Sequence, residues 1–257
     1  MQKRKYGFIK SEDGSFKPMF RLASIGDLPN SVDLRSGMPP VWDQGEIGSC
    51  TAHALAAAYA FDQAKEHQTV FDPSRLFLYW LERREEGTIS NDAGAMIADG
   101  VNALRSTGIC KSDLWPYLED QFAETPNQNA FLNATLHKAI DAGGVCQTAN
   151  SIRAALAQGY PVACGINVYT DFEDDHTAHT GAVTLPSPSQ RADPNECLGG
   201  HAILLCGYEH SQQMFLFRNS WGQDWGISGY GFIPYEYITD PGLCSDLWCI
   251  RSVEKSG

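Results

Sequence analysis

The sequence predicts an α+β protein in two parts, a mainly helical half followed by a mainly β half. Three observations carry this. Alanine-rich and apolar-periodic stretches with helix start and stop residues occupy roughly 50–108. Short β-branched and aromatic runs, separated by turn residues, dominate the chain after about residue 160. The 257 residues, 43% of them hydrophobic, supply a core for one large domain or two modest ones. Helices and strands that segregate along the chain belong to α+β architectures.

Residues 1–27 are polar and weakly periodic, and are taken as an N-terminal extension and candidate short propeptide. "LPNSVDLRSGMPPVWDQG" is an extended Pro/Gly-rich approach. A helix is predicted from about Cys50 through "TAHALAAAYAFDQAKEH", its alanines favouring helix and close packing. "DPSRLFLYWLERREEG" predicts a second helix between Pro73 and Gly87, and "AGAMIADGVNALRSTGI" a third ending near Gly108. "NSIRAALAQGY" predicts a short helix with Asn150 as N-cap. Strands are predicted in "PVACGINVY", "GAVTLP", "HAILLCGYEH", "MFLFRNSWG" and "YGFIPYEYI", with a long loop at "PSPSQRADPNECLGG". The expected parts are therefore 1–27, a mainly helical 28–143 and a mainly β 144–257.

The formal charge of −12 repels phosphate backbones, so nucleic acid is excluded as a partner and cationic peptides are favoured. No apolar run reaches membrane-span length. The basic start has no apolar stretch behind it, so no secretory leader is read there. The expected setting is the cytoplasm, or export without a recognisable leader, as a monomer. Eight cysteines lie scattered with no C-x-x-C pair, and most of them read as small buried residues; Cys244 and Cys249 are the nearest pair and are expected to stay unbridged.

Cys50 stands at a helix start, behind "QGEIGS". A helix N-terminus stabilises a thiolate, as does a neighbouring imidazolium. Seven histidines are candidates for that imidazolium. His53 lies one turn along the same helix and reads as a packed or capping residue. His67, His137 and His210 lie in polar surroundings and read as solvated. His176 and His179, in "YTDFEDDHTAHTG", sit among acids that suit a cation, but the spacing matches no metal signature and a solvated acidic loop is the commoner explanation. His201 opens an apolar strand behind Gly199 and Gly200, a pair that allows a backbone to approach closely. Asn219 leaves the next strand beside Trp221; its amide can fix an imidazole without removing the charge, and the indole can shield that bond.

Together, "QGEIGSC", "GGHAI" and "RNSWGQDWGISGYG" resemble the three signatures of papain-like cysteine peptidases, in the order Cys, His, Asn. His201 lies 151 residues after Cys50 and Asn219 169 after, slightly stretched against the family's spacing. The resemblance, spread over about 28–253, implies two subdomains with the active-site cleft between them: a helical left half and an antiparallel, barrel-like right half. It implies Cys50 as nucleophile, His201 as base and acid, Asn219 orienting His201, and Gln44 in the oxyanion hole. Substrate contacts would fall to Gly94, Gly199, Gly200 and Trp221, the two glycines leaving a pocket roomy enough for a bulky apolar or aromatic side chain. The substrate would be a peptide or protein, and neither cofactor nor metal is required. Ile47 and Thr51 depart from the family, which usually has Cys near the first position and Trp at the second; both point to its disulfide-poor bacterial and viral members. Relatives carry a long helical propeptide, whereas the short segment here is expected to dock on the enzyme and cover part of the cleft. An acyl transferase or deamidase on the same site, and a non-catalytic binding protein on the same fold, are the rival readings.

Overall fold

The computed structural model describes residues 4–11, 19 and 26–253. Residues 1–3, 12–18 and 20–25 of the predicted extension lie outside the described residues. In chain order the elements begin with strand β1, Ser31–Asp33, and helix α1, Cys50–Lys65. Helices α2 (Arg75–Glu85), α3 (Ile97–Ser106) and α4 (Gln128–Ala134) follow. Then come β2 (Ala139–Gly144), α5 (Ala149–Ala157), β3 (Val162–Tyr169), α6 (Asp175–Thr180), α7 (Pro188–Ala192) and β4 (Cys197–Glu209). Strands β5 (Met214–Arg218) and β6 (Tyr230–Pro234), helix α8 (Tyr235–Thr239) and strand β7 (Cys244–Val253) complete the fold.

Helix α1 is buried all round from Cys50 to Gln63. This explains its run of alanines: small side chains let α2, α3, β4 and β7 close on it from several sides. α2 begins just after Pro73, where Ser74 caps it, its Oγ accepting the Phe77 N–H at 3.1 Å. The α+β expectation holds. The strands form one antiparallel sheet in the order β2-β7-β3-β4-β5-β6, with β1 pairing β4. One core lies beneath α1, α2 and α3 and is closed by Ala202, Leu204 and Trp248 from the sheet. A second lies between the sheet, α5 and α8.

Several local expectations are corrected. The N-cap of α5 is Thr148, whose Oγ1 accepts from Ser151 N at 3.2 Å; Asn150 lies inside the first turn. "GAVTLP" is no strand: it makes a single parallel bridge, Ala182 to Phe232 of β6, through Val183 N–H to Phe232 O and Phe232 N–H to Gly181 O. In "YGFIPYEYI" the strand stops at Pro234, which cannot donate to the sheet, and a helical turn takes over. The loop before β4 contains α7, closed by a capping box between Ser187 and Gln190. His137 is not solvated but buried, its ring 4.5 Å from that of Phe71. Strands β1, β2 and β7 and helix α4 carry too little periodicity to be read from sequence. Cys244 and Cys249, like the other six cysteines, are free thiols.

Candidate active site

Three elements deliver the chemistry. The start of α1 places Cys50, completely buried, with its thiol taking backbone hydrogen bonds from Ala202 and Gly7. Ala202 adjoins His201 in the middle of β4, where His201 pairs in register with Ile166 of β3. The turn after β5 supplies Asn219, whose Oδ1 accepts from His201 Nε2 at 2.8 Å and from Ser220 N at 2.8 Å. Two converging donors fix which end of the amide is oxygen. They also place the His201 proton on Nε2, leaving Nδ1 buried without a hydrogen-bond partner among the described residues. Trp221 covers this pair, its ring 4.9 Å from the imidazole and nearly shut off from solvent.

Gln44 is tied to the same turn. Its N–H donates to Ser220 O at 2.8 Å, and its Oε1 accepts from Ser220 Oγ at 2.6 Å. This aims Nε2 at the carbonyl of Ile47, 3.0 Å away, and at that of Lys5, 3.2 Å away. The structure thus brings Gln44, Cys50, His201, Asn219 and Trp221 to one place.

The cleft is filled by the chain's own residues 4–11. Arg4 pairs with Asp43 at 2.7 Å and lies over Trp221, and Lys5 pairs with Asp92 at 2.5 Å. The Tyr6 hydroxyl donates to Glu173, and its ring meets His201 and Trp221 edge-on. Gly7 passes so close to the start of α1 that a Cβ there would lie 1.8 Å from Gly48 O. Gly7 O accepts from Ala95 N at 2.7 Å, Phe8 N donates to Gly200 O at 2.9 Å, and Ile9 N donates to Ala95 O at 3.0 Å. The Phe8 ring lies over Gly165, where a Cβ would come within 2.0 Å of it, and against Gly200. Gly199 backs Tyr6. Gly94, at φ +82°, lets Gly7 pass, but the backbone groups that pair with the segment are those of Ala95.

Burial beneath this segment governs the charges. Desolvation pushes the Cys50 thiol up to about 11, against the backbone N–H groups that stabilise its anion. Desolvation likewise pulls His201 down to about 4, opposed by its bond to Asn219 and reinforced by Arg4. With the cleft covered, both shifts disfavour the charged forms, thiolate and imidazolium.

Sequence reasoning missed the partners that complete the site: Ser220, Ala95, Gly165, Glu173 and the strip Tyr6-Gly7-Phe8. Only the last left a sign, a glycine between two aromatics in a polar stretch.

A buried thiol at a helix start, an imidazole held by an amide and an amide donor beside the thiol, on an α+β scaffold, define the class: a cysteine peptidase, a hydrolase. The chain belongs to the papain family of cysteine proteases, whose family model it matches over residues 28–244. It is 35% identical to xylellain, a cysteine protease from Xylella fastidiosa, with a TM-score of 0.88 and 98% of each chain covered. It is also 35% identical, over 89% of this chain and 75% of the other, to an uncharacterized peptidase C1-like protein of Acanthamoeba polyphaga mimivirus. A cathepsin L-like proteinase of Phaedon cochleariae is 25% identical over 80% of this chain, which spans 60% of that relative. The bacterial and viral likenesses accord with the departures at Ile47 and Thr51.

Proposed function

We propose that the protein hydrolyses peptide bonds through a thioester on Cys50, and that residues 4–11 hold it latent. Cys50 Sγ attacks the scissile carbonyl. His201 takes the thiol proton on Nδ1 and returns it to the leaving amine, then activates the water that hydrolyses the thioester. Asn219 holds the imidazole with Nδ1 towards the thiol, and Trp221 keeps water from that bond. Gln44 Nε2 and the Cys50 N–H receive the oxyanion; one such donor is typically worth about 10²–10³ in rate. The helical 28–143 and the β-rich 144–257 are read as the two subdomains flanking this cleft. No metal or cofactor enters these steps.

One observation carries the reading: Gln44 Nε2 already holds a peptide carbonyl, that of Lys5, beside Cys50. The pocket over Gly165 and Gly200 holds the Phe8 ring, which supports a preference for a bulky aromatic side chain in that pocket; the family resemblance gives that pocket the residue two positions before the cut. The test is labelling of Cys50 by a mechanism-based epoxide, read by mass spectrometry, together with peptide turnover, in the full chain and in a chain starting at Leu28. Fast labelling and turnover in the shorter chain, and slow in the longer, are expected. A shorter chain that labels at Cys50 but releases no peptide product would favour the acyl transferase. No labelling in either would leave a binding protein.

A further inference from the structure

Beside Asn219 lies a small, partly enclosed cavity of about 10 Å³ as swept by the centre of a water molecule. That is the room one buried water takes. Its wall is formed by His53 of α1, Asn219, Ser220 and Arg218, with Ala54 and Leu204 as apolar lining. Ser220 Oγ is committed to Gln44, and the Arg218 guanidinium to the carbonyls of Pro39 and Pro40 at 2.7 and 2.5 Å and to the Tyr230 hydroxyl. Two side-chain atoms of these lining residues have no hydrogen-bond partner among the described residues: His53 Nε2 and Asn219 Nδ2, both on residues at least nine-tenths buried.

Their polarities are opposite. His53 Nδ1 lies 3.0 Å from the carbonyl of Ser49, which only accepts, so Nδ1 carries the proton. Nε2 is therefore a lone-pair acceptor. Burial first, and then the charges of Arg75 from α2 and Arg218 from β5, hold this ring well below the usual imidazole range. Asn219 Oδ1 is occupied by His201 and Ser220, so Nδ2 is a donor. A donor and an acceptor, each costly to bury alone, face one cavity of single-water size.

We propose that one structural water sits in this cavity, accepts from Asn219 Nδ2 and donates to His53 Nε2, making His53 a positioning residue for the Asn219–His201 pair. The bridge stops the Asn219 amide from turning, which would present N–H to His201 and break the bond that sets its tautomer. The positioning role rests on the catalytic reading above; the water site does not.

The test uses the full chain and the variants His53→Leu, which removes the acceptor at similar volume, and His53→Gln, which keeps one. High-resolution crystallography of the parent is expected to show one ordered water within hydrogen-bond distance of both atoms. For His53→Leu, with unfolding temperatures recorded alongside, kcat/KM is expected to fall about tenfold through kcat, and the bell-shaped pH profile to narrow. His53→Gln restores most of both. No density in the parent cavity overturns the proposal. So does a His53→Leu variant with the parent's kcat and pH profile, or losses equal in both variants that merely follow the unfolding temperature. Should the parent hydrolyse no peptide, the density and the NMR titration of His201 in parent and variants still decide the matter. Failure of this proposal is thereby distinguished from failure of the peptidase reading.

Discussion

Phe8→Ala should partly unlatch the enzyme. The ring is 9% exposed, seated over Gly165 and Gly200. Burying such a side chain is worth about 1.5–3 kcal/mol. With about 1.4 kcal/mol per factor of ten, the open fraction should rise about 10–150-fold. The remaining anchors are smaller. The Arg4–Asp43 and Lys5–Asp92 pairs are partly exposed and worth about 0–1 kcal/mol each, and the backbone bonds of Gly7, Phe8 and Ile9 about 1 kcal/mol each. The assay is the rate of Cys50 alkylation by a small thiol reagent, compared with the chain starting at Leu28. When opening is fast relative to alkylation, that rate is the open fraction times the rate of the uncovered thiol. Leu132→Ala, at a side chain 60% exposed, serves as the control and should change nothing. A folded Phe8→Ala protein that alkylates at the parent rate, or a parent that already matches the shorter chain, would refute the reasoning.

Three further outcomes are expected. In the chain starting at Leu28, Gly165→Ala puts a methyl where the Phe8 ring lies; kcat/KM should drop at least tenfold for peptides with an aromatic two residues before the cut and little for small side chains there. Gly100→Ala should lower the unfolding temperature despite the better helix propensity of alanine, because the new Cβ meets Glu82 Oε1 and Leu55 Cδ1 at 2.4 Å; Glu82 is itself buried and held by the Thr51 hydroxyl at 2.7 Å. Finally, burial in the covered cleft pushes the Cys50 thiol up to about 11, which disfavours the thiolate, although the Gly7 N–H opposes the shift. Removing residues 1–27 restores solvent and should move the Cys50 step in thiolate absorbance to lower pH, read against a Cys50→Ser blank; an unmoved step would contradict the burial argument.

The site was legible because its chemistry is written in local strings. Cys50 behind "QGEIGS", His201 behind two glycines and Asn219 before Trp221 each sit at an element boundary that turn residues mark. The α1, α2 and α3 helices were legible for the same reason, since alanine content, Pro73 near the start of α2 and the stops at Gly87 and Gly108 act over a few residues. β2, with "AIDAGG", and β7, with "CSDLWCIRSV", were not, because a strand held by its neighbours needs no strong pattern of its own.

By itself, then, the sequence determined the segregation of helix from strand and the order of the motifs that carry Cys50, His201 and Asn219. Only the tertiary structure decided what surrounds them. His53 looked like packing until β5 brought Asn219 to the same cavity, and His137 looked solvated until Phe71 closed on it. The seating of Tyr6, Gly7 and Phe8 depends on Ala95, Gly165 and Gly200, far away in the chain. The reason is physical: burial, tautomer and the shifted ionisation of Cys50 and His201 depend on which distant surfaces exclude water from a group, and no local pattern of residues records that.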